Sequence, residues 1–282
     1  MSLDAQASAA KSLIDRCSEV LEKNKSNEKP ILRVVHHFAC SGGTIITKCL
    51  AAMPNVFVLS ETHPLSKNHV GHLARYSPTD ITTLSRFAGI PDLEKLAIRL
   101  FITNIKAVNK HVSERGGTLV LREHTHIDYC VGKKIARAPI VETCLDKDFE
   151  IISLATVRNP IDSYISLQTN NWLQFKPATF DEYCKRLFRF LSRYPLENIV
   201  KYEDFTKKPH KAINRMCKIL NIKFDGSFSD ITELFTMTGD SGRASNKIEK
   251  RERRDISDDF RNEIHSSAYF QKVKSLLCYT DY

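Results

Sequence analysis

The stretch from Ile31 to Glu61 reads ILRVVHHFACSGGTIITKCLAAMPNVFVLSE. It opens with an apolar run that predicts a buried strand. A turn of small residues follows, Ala39-Cys40-Ser41-Gly42-Gly43-Thr44, after which Ile45, Ile46, Cys49, Leu50 and Met53 recur at helical spacing. A second apolar run, Val56 to Leu59, ends on Ser60-Glu61. Strand, glycine turn, helix and strand in that order predict a phosphate-binding βαβ unit. The bare amides of such a turn and the positive end of its helix together attract an anion.

Outward from this unit, strands and helices keep alternating. Thr118 to Arg122 (TLVLR), Glu150 to Val157 (EIISLATV) and Asn198 to Tyr202 (NIVKY) read as strands. Helices are expected over 78–90, 92–114, from Pro160 to about Leu173, over 179–194 and from Pro209 to Leu220. The stretches 62–80, with His63, His69 and His72, and 127–149, with Lys133, Lys134 and Arg137, show no period and read as loops. The tail, 227–282, reads as helical around a small polar loop, Thr238 to Ser245, and Lys247 to Arg254 as an exposed helix face. Residues 1–30 read as an amphipathic helix and a polar linker. The expectation is one α/β domain over 31–282, with a central, mostly parallel sheet flanked by helices.

Composition narrows the function classes. The 282 residues are 42% hydrophobic, enough for a substantial core. No apolar run is long enough to span a bilayer, and the N-terminus lacks a signal-peptide core, so a soluble, cytoplasmic protein is expected. Eight cysteines without a CxxC pair read as reduced thiols, and no paired Cys/His spacing calls for a metal. A net charge of +9 favours an anionic partner: a nucleotide, a sulfated or phosphorylated compound, nucleic acid or a membrane surface. Nucleic acid is not expected, because no recognition motif accompanies the charge and the 247–254 run alternates with acids.

The turn is compatible with few chemistries. A Walker A loop needs a lysine after the glycines, and none is present. A phosphatase-type cysteine loop needs an arginine where Ile46 stands. A serine nucleophile elbow centred on Ser41 is loosely satisfied, but only one strand precedes it. Past the carboxyl end of the TLVLR strand, where α/β sheets bind ligands, Arg122, His124 and His126 are further candidates.

Two motifs together carry a resemblance. Cys40-Ser41-Gly42-Gly43-Thr44 follows the first strand, and Arg158-Asn159-Pro160-Ile161-Asp162-Ser163-Tyr164-Ile165-Ser166 follows a later one. Over Ile31 to Tyr202 the chain resembles the sulfotransferases that use 3′-phosphoadenosine 5′-phosphosulfate (PAPS). These carry a [KR]-S-G-T-T loop around the 5′-phosphosulfate and an R-[ND]-P-x-[DE]-x-x-x-S pattern around the 3′-phosphate. The resemblance implies a P-loop NTPase-like sulfotransferase architecture and sulfuryl transfer without a metal. The acceptor would be a hydroxyl or amine, and adenosine 3′,5′-bisphosphate (PAP) the product. It implies that Cys40, Ser41, Gly42, Gly43 and Thr44 hold the 5′ end and Arg158 and Ser166 the 3′-phosphate. Gly242 and Arg243 would belong to a basic loop over the nucleotide. Glu61 matches the catalytic glutamate of protein-tyrosine sulfotransferases; His63, His124 and His126 are rival bases.

The departure from the pattern is Cys40, which stands where the family has a lysine or arginine. Lys48, Arg122 and Arg243 are candidate substitutes, with Lys48 otherwise a solvated helix lysine. A non-catalytic nucleotide-binding protein of the same fold is the alternative, and a hydrolase using Ser41 a more distant one. The acceptor is not legible, because specificity would lie in the 62–80 and 123–149 loops.

Overall fold

The computed structural model describes residues 29–66, 79–235, 248 and 253–279. Residues 1–28 of the expected N-terminal helix and linker, His69, His72, Gly242 and Arg243 lie outside the described residues.

Five parallel strands form the central sheet: β1 (Ile31–His37), β2 (Val56–Thr62), β3 (Thr118–Glu123), β5 (Glu150–Val157) and β7 (Ile199–Lys201), in the order β2-β3-β1-β5-β7. Two short strands, β4 (Val131–Gly132) and β6 (Gln174–Phe175), pair separately. The expected α/β class with a parallel sheet is what the chain forms. The opening unit departs in one respect: β3 lies between β1 and β2, so β2 pairs with β3 and not with β1. The sheet order therefore turns at β1, whose carboxyl end opens between β3 and β5. That is where a doubly wound sheet leaves a crevice.

Side chains of β1 alternate between two cores, as a strand's period of two requires. Val35, with Val120 and Leu154, packs under α1 (Gly43–Ala51), α8 (Tyr202–Lys207) and α9 (Pro209–Ile219). Leu32 and Val34 pack on the opposite side, with Ile105 of α3 (Leu93–Ser113) and Val141 and Leu145 of α5 (Ile140–Leu145). That side continues into an aromatic cluster of Phe38, Tyr129, Tyr164, Phe180, Tyr183 and Phe190. It is covered by α4 (Thr125–Tyr129), α6 (Pro160–Thr169), α7 (Phe180–Leu191), α11 (Asp258–Ser266) and α12 (Ala268–Leu277). The remaining helices are α2 (Ile81–Phe87) and α10 (Phe228–Ile231).

Local chemistry sets several element ends. The Asp80 side chain accepts from the Thr83 amide and starts α2, later than the expected residue 78. Asn159 caps α6 by accepting from Ile161 N, and Pro160 fills its first position. α6 stops at Thr169, short of the expected 173, where Asn171 turns left-handed. Residues 127–149 are not irregular: α4 and α5 form there, because Tyr129, Val141 and Leu145 are buried and Asp128 Oδ2 accepts from Ile140 N at 3.0 Å. Arg253 and Arg254 are outside any helix, contrary to the expected exposed helix face.

Candidate functional site

The turn after β1 is shaped by close approach. Gly42 has φ +78, and a Cβ there would lie 2.3 Å from Cε2 of Tyr202. A Cβ on Gly43 would lie 2.6 Å from the His37 ring. Glycine is required at both positions, at Gly42 for conformation as well as space. The turn is thus clamped between Tyr202, the first residue of α8, and His37, the last of β1. The first-turn amides of Gly43, Thr44 and Ile45 point out of the end of α1, the positive pole of the helix.

Beneath the turn runs a chain of neutral hydrogen bonds. The Thr47 hydroxyl donates to Gly43 O at 2.7 Å, and His37 Nε2 lies 2.9 Å from that hydroxyl. His37 Nδ1 lies 2.5 Å from the Thr156 hydroxyl, which lies 3.2 Å from Ser41 Oγ. With Nε2 protonated, His37 donates to Thr47 and accepts from Thr156. Burial, then the charges of Arg122 and His36, hold the His37 pKa well below the usual histidine value, so the ring is neutral. Ser41 is 1% exposed and its amide donates to Phe38 O at 3.1 Å. Its hydroxyl therefore ties the turn to β5. A buried, engaged hydroxyl is not presented as the nucleophile of a hydrolase.

The second motif meets the first at Cys40. Burial pushes the Cys40 thiol up; a hydrogen bond with Ser166 and the charges of Arg158 and Arg254 pull against it without reversing it. The Arg158 guanidinium lies over the Tyr202 ring, 5.3 Å from its centroid. Tyr202 therefore touches Gly42 on one motif and Arg158 on the other. Arg158 opens the loop that Asn159 closes: Asn159 N donates to Glu203 Oε1 at 2.8 Å, and Tyr279 OH donates to Glu203 Oε2 at 3.0 Å. Arg254 donates to Thr169 Oγ1 at 2.6 Å, and Arg253 Nε lies 3.9 Å from Asp162 Oδ2.

On the other side of the turn, the end of β3 is charged. Arg122 is buried; its Nη2 lies 2.7 Å from Glu61 Oε1 and 3.4 Å from Thr44 Oγ1, and its Nη1 donates to Ser60 Oγ at 3.0 Å. Glu61 Oε2 lies 3.5 Å from His124 Nδ1. Glu61 occupies a register shift in β2 with φ +59, a conformation uncommon for a residue with a Cβ. Such a bulge re-aims a side chain, here toward Arg122 and His124. The other candidate bases have other contacts: His63 Nδ1 accepts from the Leu65 amide at 3.1 Å while its Nε2 lies 3.5 Å from Asp128 Oδ1, and His126 Nε2 meets Gln174 Oε1 at 3.3 Å. Lys48 is buried, 5% exposed, and is not a solvated helix lysine.

The fold thus brings Cys40, Gly42, Gly43 and Thr44 together with Arg158 and Ser166 on one side and Arg122, Glu61 and His124 on the other. Tyr202, His37, Thr156 and Arg254 were not singled out in the sequence. Only the pair of polar residues ending β1, His36-His37, gave any local hint. Among the described residues no His/Cys/Asp/Glu group has metal-binding geometry, and no helix is long and apolar enough to cross a membrane.

No protein-family model matches the chain, and no curated protein matches it in sequence. Solved structures do match in fold. A sulfotransferase domain from the curacin biosynthetic pathway is 16% identical, with a TM-score of 0.55, over 90% of this chain and 99% of that domain. A sulfotransferase domain from the Synechococcus PCC 7002 olefin synthase is 16% identical over 72% of this chain and 78% of its own, with a TM-score of 0.42. Sulfotransferase STF9 from Mycobacterium avium is 12% identical over 94% and 80%, with a TM-score of 0.42. The chain has the sulfotransferase fold, a conclusion resting on the first of these.

Proposed function

We propose that the chain is a sulfotransferase that takes its sulfuryl group from PAPS and passes it to a hydroxyl or amine acceptor. The observation that carries this reading is the meeting of the two motifs. The Cys40 thiol of the turn feels the Ser166 hydroxyl and the Arg158 charge, and Tyr202 spans Gly42 and Arg158. Two anion-binding groups this close suit one nucleotide that carries anionic groups at both its 5′ and 3′ ends. The amides of Gly43 and Thr44 would hold the 5′ end. Arg158, Ser166 and Arg254 would hold the 3′-phosphate, with arginine suited to bidentate phosphate binding.

When bound, the donor supplies an activated sulfuryl group: a bond forms from the acceptor oxygen or nitrogen to sulfur as the sulfur's bond to the 5′-phosphate oxygen breaks, and that oxygen keeps the electron pair. The chain's own residues then have separable roles. His124 takes the acceptor's proton, with Nδ1 oriented by Glu61. Glu61, whose other oxygen meets Arg122 at 2.7 Å, orients rather than abstracts. Arg122, beside Thr44, is the cation that serves the turn in place of Cys40 and offsets charge developing on the leaving phosphate. Neutral thiols suit a cytoplasmic setting, and the seven described cysteines are free.

PAP should raise the melting temperature of the protein, and Arg158→Ala should remove most of the rise. Absence of any shift in the wild type would sink the nucleotide reading. A second reading, nucleotide binding without turnover, is favoured by the uncharged Cys40. It expects the same shift but no transfer of labelled sulfate to any acceptor pool.

A further inference from the structure

His36 lies on the face of β1 opposite His37 and away from the turn. It is fully buried, and both ring nitrogens face carboxylates: Nδ1 lies 2.5 Å from Glu123 Oε2 and Nε2 lies 2.9 Å from Glu142 Oε1. Glu123 is its partner across the β1–β3 ladder and is also buried. Nδ1 is within hydrogen-bond reach of Glu123, whereas Nε2, though close to Glu142, is not aligned for a hydrogen bond; two carboxylates this near the ring favour its charged form. Glu142 is further held by the Ser153 hydroxyl at 2.5 Å and by Arg193 at 3.8 Å. Glu123 also accepts from the Thr125 hydroxyl at 3.4 Å.

Glu123 stands between Arg122 and His124 in the chain. Neighbouring residues of a strand point to opposite faces, so Arg122 reaches toward Thr44 while Glu123 is fastened behind the sheet; His124, the next residue, leads into α4 and lies near Glu61. We propose that His36 is a positioning residue for the site: as an imidazolium between Glu123 and Glu142 it anchors Glu123, and so holds Arg122 and His124 in the arrangement that faces the turn. The anchoring concerns the protein's own geometry; its meaning for catalysis rests on the function proposed above.

The groups that set this titration come from several elements. Facing His36 are Glu123 of β3, Glu142 of α5 and the Tyr194 ring, 5.1 Å away, with His37 beside it on β1. Behind the carboxylates are Asp128 and Tyr129 of α4, and Arg193. Burial works against the charged ring, and the two carboxylates more than reverse it, leaving the His36 pKa raised to about 9. Burial pushes the Glu123 carboxyl up against the pull of His36. With the carboxylates of Glu123 and Glu142 beside the ring, the proton belongs on the ring. Above pH 9 the anchor loses its charge and two carboxylates are left facing each other.

The test is nuclear magnetic resonance of the ligand-free protein with ¹⁵N-labelled histidine, from pH 6 to 10. His36 should carry protons on both nitrogens at pH 7 and lose one near pH 9. His124 should show a second inflection at the same midpoint, apart from its own titration, and His36→Gln should lack that inflection. A neutral His36 at pH 7, or a His124 signal blind to the titration of His36, overturns the proposal even if the variant does not fold. In parallel, wild-type affinity for PAP should fall about tenfold from pH 8 to 10 with that midpoint. Affinity that is flat across the midpoint also overturns it. No PAP binding at any pH removes the nucleotide reading, and the resonance data then decide the anchor alone.

Discussion

The turn after β1 and the end of β3 flank the same crevice and are built from opposite materials. The turn is neutral: glycines held by sterics, helix-end amides, and hydroxyls passed along a neutral His37. The end of β3 is ionic: Arg122 with Glu61 on one face, and Glu123 with His36 on the other. Adjacent histidines on one strand thus hold different protonation states, because burial and the charges of Arg122 and His36 keep one neutral while two carboxylates overcome burial for the other. The difference suits their proposed tasks. A cradle for a fixed anion needs shape and aligned dipoles, whereas charge that develops during transfer needs an opposite charge held ready.

The comparison breaks most severely at Gly42. Gly42→Ala adds a Cβ into the Tyr202 ring at positive φ, with an expected cost of about 2–4 kcal/mol and loss of PAP binding. Adding Tyr202→Ala should recover part of the stability, read by denaturant titration as a double-mutant cycle. Recovery absent from the cycle would mean that the ring contact is not what requires glycine. Next in size, Arg122→Met strips the charge from the β3 side and removes the 2.7 Å partner of Glu61. It should cost about 2–4 kcal/mol and weaken PAP, while a Glu61→Gln/Arg122→Met pair should be less destabilised than Arg122→Met alone.

Much of this contrast was legible only on the turn's side. The strand–glycine–helix unit and the Arg158 to Ser166 segment are contiguous in the chain, so residue types at fixed spacing announce them. The charged side is assembled across long separations. Glu61 reaches Arg122 because β2 pairs with β3, and His36 finds Glu123 because β3 displaces β2 from the neighbourhood of β1. No local pattern encodes that order, and an opening βαβ unit invites the adjacent pairing that the chain does not adopt. Tyr202 illustrates the same limit: it ends an apolar run and reads as the last residue of a strand, yet it begins a helix and roofs the turn. Ser41 was placed correctly in the turn, but the direction of its hydroxyl depends on Thr156, on another strand.

Acid and alkali should separate the two sides further. The folded pKa of His37 is lowered, so its contribution is full above the unfolded histidine value near 6.5 and is lost as pH falls below it. That of His36 is raised to about 9, so its contribution is full below about 6.5 and is lost as pH rises through 9. Melting temperature should therefore drop on both flanks. His37→Gln should flatten the acid limb and His36→Gln the alkaline limb; the opposite assignment would contradict the two protonation states.

The smallest effect expected is at Cys40. Cys40→Lys introduces a cation where Arg158 and Arg254 already act, so the ligand-free protein should lose stability while PAP binds about fivefold more tightly. Unchanged affinity in calorimetry would contradict the expectation that a cation at position 40 reaches the same ligand as Arg158.

The central claim is that one ligand engages the turn and Arg158 together. The direct measurement is the thermal shift produced by PAP and by adenosine 5′-monophosphate, which lacks the 3′-phosphate, on wild type and on Arg158→Ala. A larger shift with PAP in the wild type, reduced by Arg158→Ala to the level of the monophosphate, is the predicted result. Equal shifts for the two nucleotides in the wild type, or a PAP advantage that survives Arg158→Ala, would contradict it.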